Sequence, residues 1–221
     1  GRPKIYLHAE DVGFAGHVML DGYWESWLTI FLAGITEPGM RVVDVGANFG
    51  YYSLLMGDIV GSKGSLVAVE PNPVAAAYLQ RTLDLNGISG YTRVVSEALG
   101  DGSSRVVDMI VPAGEPKNAF VAGEGMVGER STVPSMTLDE LLAREEHVDI
   151  IKIDAEGSET AIIDGGWQAI SRHRPHLVLE YNAARYRSPG FPQKAPARLR
   201  QGPHHYHHRS HPRCRSAGDP Q

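Results

Sequence analysis

The stretch Asp44-Val45-Gly46-Ala47-Asn48-Phe49-Gly50 sets two glycines and an asparagine in a turn, and an acid, Glu70, follows 24 positions after Gly46. In an open parallel sheet, ligands settle at the carboxyl ends of the strands, and an acid about 20 residues past a glycine turn reaches a ribose diol. The turn alone would serve only the backbone. With Glu70 at the tip of the next strand, the pattern points to a nucleoside. A dinucleotide site needs Gly-x-Gly-x-x-Gly so that bare backbone touches pyrophosphate; here the middle position is Asn48 and Asp44 stands just before the turn. An acid at that place repels pyrophosphate and suits a ligand carrying a sulfonium and an ammonium group. The expected cofactor is therefore S-adenosylmethionine rather than a nicotinamide dinucleotide.

Such a site requires a scaffold of alternating strands and helices. Residues 41–45 read as a buried first strand, 51–60 as the helix after it and 65–70 as the second strand. Asn72 is placed as an N-cap with Pro73 at the first helical position, and Val74, Tyr78, Leu79, Leu83 and Leu85 form an apolar stripe that stops at Asn86-Gly87. A third strand is expected over 91–96, with extra strands at 104–111 and 131–135 around a glycine-rich loop. Thr137-Leu138-Asp139-Glu140 fits a capping box opening a short helix at Leu141-Leu142. A fourth strand over 148–154, a helix over 158–170 interrupted at Gly165-Gly166 and a fifth strand over 176–181 complete a β-α alternation, the signature of a parallel sheet covered by helices.

The 221 residues, 42% hydrophobic and 21% charged, suit one globular domain. No apolar run approaches the roughly 18 to 20 residues that cross a bilayer, and the lone Cys214 requires no oxidising compartment, so the expected location is cytoplasmic. The net charge of −5 hides an asymmetry: residues 1–187 hold 15 basic and 25 acidic residues, a formal charge of −10, while residues 188–221 hold six basic and one acidic. A body so acidic repels a nucleic-acid backbone, whose affinity comes from Lys/Arg displacing counterions. The expected partner is a small molecule.

The chain resembles the FkbM-type methyltransferases of the class I S-adenosylmethionine-dependent fold, over about 22–182. The resemblance rests on Asp-Val-Gly-Ala-Asn-Phe-Gly-Tyr-Tyr at 44–52, Val-Glu-Pro-Asn-Pro at 69–73, Glu-Ala-Leu-Gly-Asp at 97–101, and Ile-Lys-Ile-Asp-Ala-Glu-Gly-Ser-Glu at 151–159 preceded by Thr-Leu-Asp-Glu-Leu-Leu. It implies an α/β, Rossmann-like, doubly wound and mostly parallel sheet, and an O-methyltransferase acting on a hydroxyl of a small molecule, sugar or lipid-linked glycan. By position, Asp44, Gly46, Ala47, Asn48 and Gly50 would line the methionine half of the cofactor. Glu70, with Asn72 beside it, would hold the ribose, and Glu97, Ala98 and Leu99 would flank adenine. Asp154 and Glu156 would stand near the transferred methyl, with Glu180 ending the fifth strand on the same edge.

Methyl transfer is an in-line displacement, so alignment of acceptor oxygen and methyl supplies most of the rate, and a base helps because a sugar-type hydroxyl is a poor nucleophile. The candidates for that base are Asp154 and Glu156. Each has a structural alternative: Glu156 as a cap of the helix at Ser158, Glu159 as a carboxylate favouring the positive helix start. Glu25 and His17 are further candidates from the N-terminal segment. No metal is expected, because no histidine or amide neighbours the acids at 154–159.

Three units follow: an N-terminal segment with a helix at 1–40, the S-adenosylmethionine-binding domain at 41–187, and a basic, His- and Pro-rich tail at 188–221 expected to be disordered. Class I sheets usually add two strands after the fifth, and the tail lacks the apolar periodicity to form them. It reads as out of frame or unrelated, which leaves a second functional reading: a nucleoside-binding relic impaired in catalysis by a disrupted C-terminus.

Overall fold

The computed structural model describes residues 3–9, 11, 13–110, 120–122 and 130–180. The chain opens with α1 (Phe14–Asp21) and α2 (Ser26–Ile35), then alternates: β1 (Arg41–Val45), α3 (Tyr51–Val60), β2 (Ser65–Val69), α4 (Pro73–Leu85) and β3 (Thr92–Val95). An excursion follows through β4 (Ala98–Gly100), β5 (Val106–Ile110), β6 (Phe120–Val121), β7 (Arg130–Thr137) and α5 (Leu138–Leu141). The alternation then resumes with β8 (Ile150–Ile153), α6 (Glu159–Gly165), α7 (Trp167–His173) and β9 (His176–Leu179).

Among the described residues, the main sheet runs β3-β2-β1-β8-β9 with all pairs parallel, and the excursion forms a second sheet ordered β4-β7-β5-β6. In the main sheet the direction of winding reverses between β1 and β8, and a crevice opens above such a switch point. The excursion strands matter to the site as well, because β5 and β6 supply part of its wall.

Both faces of the main sheet are covered, which is why its strands are apolar throughout. Odd-numbered side chains, including Val43, Val45, Val67, Ile151, Ile153 and Leu177, pack with Leu138, Ile162 and Ile170. Even-numbered ones, Val42, Leu66, Ile150 and Val178, pack with Leu28 and Leu32 of α2 and with Tyr52, Met56 and Val60 of α3. The same parity sends Asp44 of β1 and Lys152 of β8 toward the second face, where they are paired partners in register.

Local signals account for two of the helix starts. The Asn72 side chain accepts the Val74 N–H with Pro73 next, and Thr137 with Glu140 forms the full capping box; the helix it opens begins at Leu138, three residues earlier than expected. In α4 the buried face is Ala75, Ala76, Leu79, Thr82 and Leu83, whereas Val74 and Leu85, placed in the apolar stripe from spacing, are half exposed at the two ends of the helix. The expected break at Gly165-Gly166 separates α6 from α7, and Leu138 packs where a Gly166 side chain would stand. Residues 181–221 lie outside the described residues, and with them the expected change of character at residue 187 and the reading of the tail. No described helix is long and apolar enough to cross a membrane.

Candidate functional site

The turn after β1 closes on the tips of its two neighbours. Gly46 and Ala47 both donate their backbone N–H to the Val69 carbonyl at the end of β2, each at 3.0 Å. Gly46 has a φ of +74°, and a Cβ there would lie 1.7 Å from the Asp154 carbonyl oxygen, so the residue after β8 sits directly against the turn and only glycine fits between them. Asn48 takes the left-handed region at φ 51°, a conformation that asparagine tolerates better than most residues. Its N–H donates to Glu70 Oε2 at 2.8 Å, while the Asn72 N–H donates to Glu70 Oε1 at 2.8 Å. Glu70 is thus clamped by the turns on both sides of β2. Burial pushes its pKa up to about 7 against the pull of those two N–H groups.

Above this frame lies a cavity of about 430 Å³, within the usual range for a small-molecule site. Gly46, Ala47, Asn48 and Glu70 line one part, with Ala98, Leu99, Met109, Phe120 and Val121 forming an apolar wall drawn from the second sheet. Another part is lined by Glu25, Tyr52, Lys152, Asp154, Glu156 and Glu180, with the aromatic rings of Phe14, Trp24 and Tyr51. Of the expected site residues, Gly46, Ala47, Asn48, Glu70, Ala98, Leu99, Asp154, Glu156 and Glu180 meet at this one cavity.

Four of the expected cofactor contacts do not border it. Asp44 is fully buried beneath the turn, where its carboxylate accepts the Ser53 hydroxyl at 2.6 Å and the Lys152 ammonium at 3.0 Å. Its charge is spent on those partners, so the acid expected to face a sulfonium instead holds the floor. Gly50 serves the start of α3, packed against Leu79 of α4. Asn72 is occupied as the cap of α4, although its backbone fixes Glu70. Glu97 lies outside the lining, because it precedes β4 while Ala98 and Leu99 turn into the wall.

The other candidates separate in the same way. Glu159 is buried and accepts the N–H of Ala155 at 3.0 Å and of Gly157 at 3.1 Å, which ties the turn after β8 to α6. That turn leaves Glu156 on the cavity wall at a left-handed φ of 50°. His17 is exposed, beside Asp21 on α1, and outside the lining. Glu25 precedes α2 at a left-handed φ of 39°, and its Oε2 accepts the Tyr52 hydroxyl at 3.0 Å.

Lys152 escaped the sequence reading. Its ammonium reaches Asp44 at 3.0 Å and Asp154 at 3.8 Å, and it lies 5.1 Å from the centre of the Tyr52 ring. Burial opposes its charge, but the two aspartates outweigh that and hold its pKa above the ordinary lysine value. The signal was a lone cation inside the apolar run Ile150-Ile151-Lys152-Ile153, because a buried strand tolerates a charge only opposite a countercharge. Burial, with the charge of the neighbouring Asp154, pushes Glu180 up to about 9. Tyr52 is raised well above an ordinary phenol by burial and by Glu25.

The geometry fits a nucleoside ligand with a cationic tail. Among the described residues, Asn48 Oδ1 is buried without a hydrogen-bond partner, an acceptor without a donor in the turn whose backbone N–H holds Glu70.

Residues 44–210 match the family described as the methyltransferase FkbM domain. A protein-L-isoaspartate O-methyltransferase of Aeropyrum pernix is 42% identical over 67 residues, 30% of this chain and 25% of that protein. The chain spans only 25–30% of the length of the curated relatives it matches. Among solved structures, an S-adenosylmethionine-dependent O-methyltransferase of Thermotoga maritima aligns at 16% identity over 71% of this chain and 46% of its own, with a TM-score of 0.41. Aeropyrum pernix fibrillarin, solved with natively bound S-adenosyl-L-methionine, aligns at 16% identity over 67% and 48%, with a TM-score of 0.39.

Proposed function

Because the chain belongs to the FkbM methyltransferase family and so carries an S-adenosylmethionine-dependent methyltransferase domain, we propose that it methylates a hydroxyl oxygen of a small molecule, sugar or glycolipid. The observation that carries this reading is the lining of the cavity around Asp154. Glu25, Asp154, Glu156 and Glu180 face it against one described cation, Lys152, whose charge is already engaged by two aspartates. Such a wall repels a phosphate or carboxylate acceptor and accepts hydrogen bonds from hydroxyls.

When bound, S-adenosylmethionine supplies a methyl carbon already activated by a sulfonium leaving group. Glu70 would accept the ribose hydroxyls, Asn48 Oδ1 would accept a donor from the tail, and Ala98, Leu99 and Met109 would cover the adenine. Asp154 would take the proton from the acceptor hydroxyl, a contribution of about 10² to 10⁴ in rate. Glu156 and Glu180 would hold neighbouring hydroxyls of the acceptor and keep the reacting oxygen aligned, which is the larger effect.

The Aeropyrum relative is named for an isoaspartyl protein acceptor, and a carboxylate of that kind is the chemistry this acidic wall opposes. A turnover panel tests the reading: sugars, hydroxylated small molecules and glycolipids alongside an isoaspartyl peptide and RNA, with S-adenosylhomocysteine formation measured. Turnover on hydroxylated acceptors is expected. Methylation confined to the peptide or the RNA would overturn it, and titration with S-adenosylhomocysteine and NAD checks the cofactor independently.

A further inference from the structure

Among the described residues, four that are not glycine take a positive φ: Glu25 at 39°, Asn48 at 51°, Glu156 at 50° and Arg174 at 49°. Arg174 ends α7, where a left-handed residue is ordinary. The other three all line the cavity above the Gly46 turn. Backbone held away from its preferred regions persists where a site uses the side chain that it presents. Asn48 is held in place by its bond to Glu70, and Glu156 belongs to the turn that Glu159 ties to α6. The helix that Glu25 precedes does not explain Glu25. Its side chain makes no capping bond to α2, although Ser, Thr, Asp and Asn are favoured at that position because they make one. The carboxylate is on the cavity wall instead, where Oε2 accepts the Tyr52 hydroxyl at 3.0 Å. Burial and Glu25 both raise the Tyr52 pKa, so the phenol keeps its proton and donates, and the carboxylate is fixed in place as an acceptor.

Two half-buried rings stand with it. Trp24 precedes Glu25 in the chain and Tyr51 precedes Tyr52, and both line the same cavity. Phe14 lies between them, with ring centres 5.1 Å from Trp24 and 6.2 Å from Tyr51, edge-on to each. Thr29 of α2 bonds the Trp24 carbonyl through its hydroxyl, which lies 3.2 Å from the Tyr51 hydroxyl. The first turn of α2 therefore fixes the two rings and Glu25 as one unit. An aromatic face beside a carboxylate suits a sugar ring, whose C–H groups pack on the π-face while its hydroxyls donate to the acid. An alkyl chain would use the rings and waste the carboxylate, and an anion would be repelled by it. We propose that Glu25 is a specificity-determining residue of the acceptor site and that the acceptor it selects is a sugar ring, seated against Trp24 and Tyr51 with neighbouring hydroxyls donated to Glu25. This rests on the reading of the domain as one that methylates hydroxyls, and it narrows the acceptor class. Glu25 and Glu156 then reach the acceptor from two sides, one from ahead of α2 and the other from after β8.

Binding is measured on the full chain saturated with S-adenosylhomocysteine, by ligand-observed NMR. The probes are the methyl pyranosides of glucose, mannose, galactose, rhamnose and fucose, with cyclohexanol and cis-1,2-cyclohexanediol as comparators that lack the sugar's full set of hydroxyls. At least one pyranoside is expected to bind about tenfold or more tighter than either comparator. Glu25→Gln, equal in size and without the charge, is expected to weaken that pyranoside by about tenfold or more while the affinity for S-adenosylhomocysteine stays near that of the parent. Should Glu25→Gln fail to fold, Glu25→Asn replaces it: asparagine tolerates left-handed backbone better and its side chain is one carbon shorter, so it is expected to lose the sugar likewise. No preference for any pyranoside over the comparators, or a folded Glu25 variant that binds the sugar as the parent does, would overturn the proposal. Failure of the hydroxyl-methylating reading shows differently, as a bound sugar that is not turned over with S-adenosylmethionine, because binding is read without a methyl donor.

Discussion

The backbone N–H of Asn48 donates to Glu70 Oε2 at 2.8 Å, joining the turn after β1 to the acid at the tip of β2 across 22 residues. With the Asn72 N–H on the other oxygen, Glu70 is fixed before any ligand arrives. It arrives prepaid in conformational entropy, and its free lone pairs are aimed by backbone rather than by a mobile side chain.

Glu70→Ala is therefore expected to weaken S-adenosylhomocysteine binding by about tenfold or more, since each hydrogen bond to a charged carboxylate is worth about 1.5 to 3 kcal/mol. Isothermal titration reads this directly, with circular dichroism confirming that the mutant is folded. Unchanged affinity would remove Glu70 from the nucleoside site.

Asp154→Asn keeps the shape of the side chain and removes its ability to take a proton. Turnover at saturating substrates should fall by about 10² or more while cofactor affinity changes little. A loss below tenfold would shift the role to Glu156 or Glu180.

Gly46→Ala tests the close approach of the turn to the residue after β8. The new methyl would stand 1.7 Å from the Asp154 carbonyl oxygen at a φ of +74°, so backbone must move, and a loss of more than about 2 kcal/mol is expected. Chemical denaturation measures it. A stability equal to that of the parent would mean the turn relaxes without cost.

Stability should fall as pH rises. Glu70 and Glu180, ordinarily near 4.5, are raised in the folded chain to about 7 and about 9, so between those values the native state binds more protons than the unfolded one. The stabilisation is complete below about pH 4.5 for these two groups and is lost as pH passes 7 and then 9. Lys152, raised above its ordinary value, stays charged in both states over that range and adds no slope. Thermal melts at pH 5, 7 and 9 should show a declining melting temperature, and Glu180→Gln should flatten the decline between 7 and 9.

Where a signal depended on near neighbours, the sequence was readable. Asn72 followed by Pro73 marked the start of α4, and Thr137 with Glu140 the start of α5, because a cap is satisfied within one turn of its own helix. The ends of the α4 stripe were misjudged at Val74 and Leu85, since spacing gives a face but not how far the neighbouring sheet extends. In sequence Asp44 resembles a ligand contact for a related reason: a polar residue at a strand tip looks the same whether it faces a cavity or, as here, a buried lysine.

The sequence by itself determined the β-α alternation of the main sheet, the glycine turn, the acid one strand later and the family, all of them patterns within short stretches of chain, whereas β4 and β6 of the second sheet fall where it reads loop. Only the tertiary structure decided which acids act together. Asp44 and Lys152 are 108 residues apart and meet through strand register; Asp154 meets Glu180 because β9 lies next to β8, and Glu25 meets Tyr52 across the α2–α3 face. Ion pairing and hydrogen bonding depend on distance and burial, and for residues this far apart in the chain both are products of sheet order and packing.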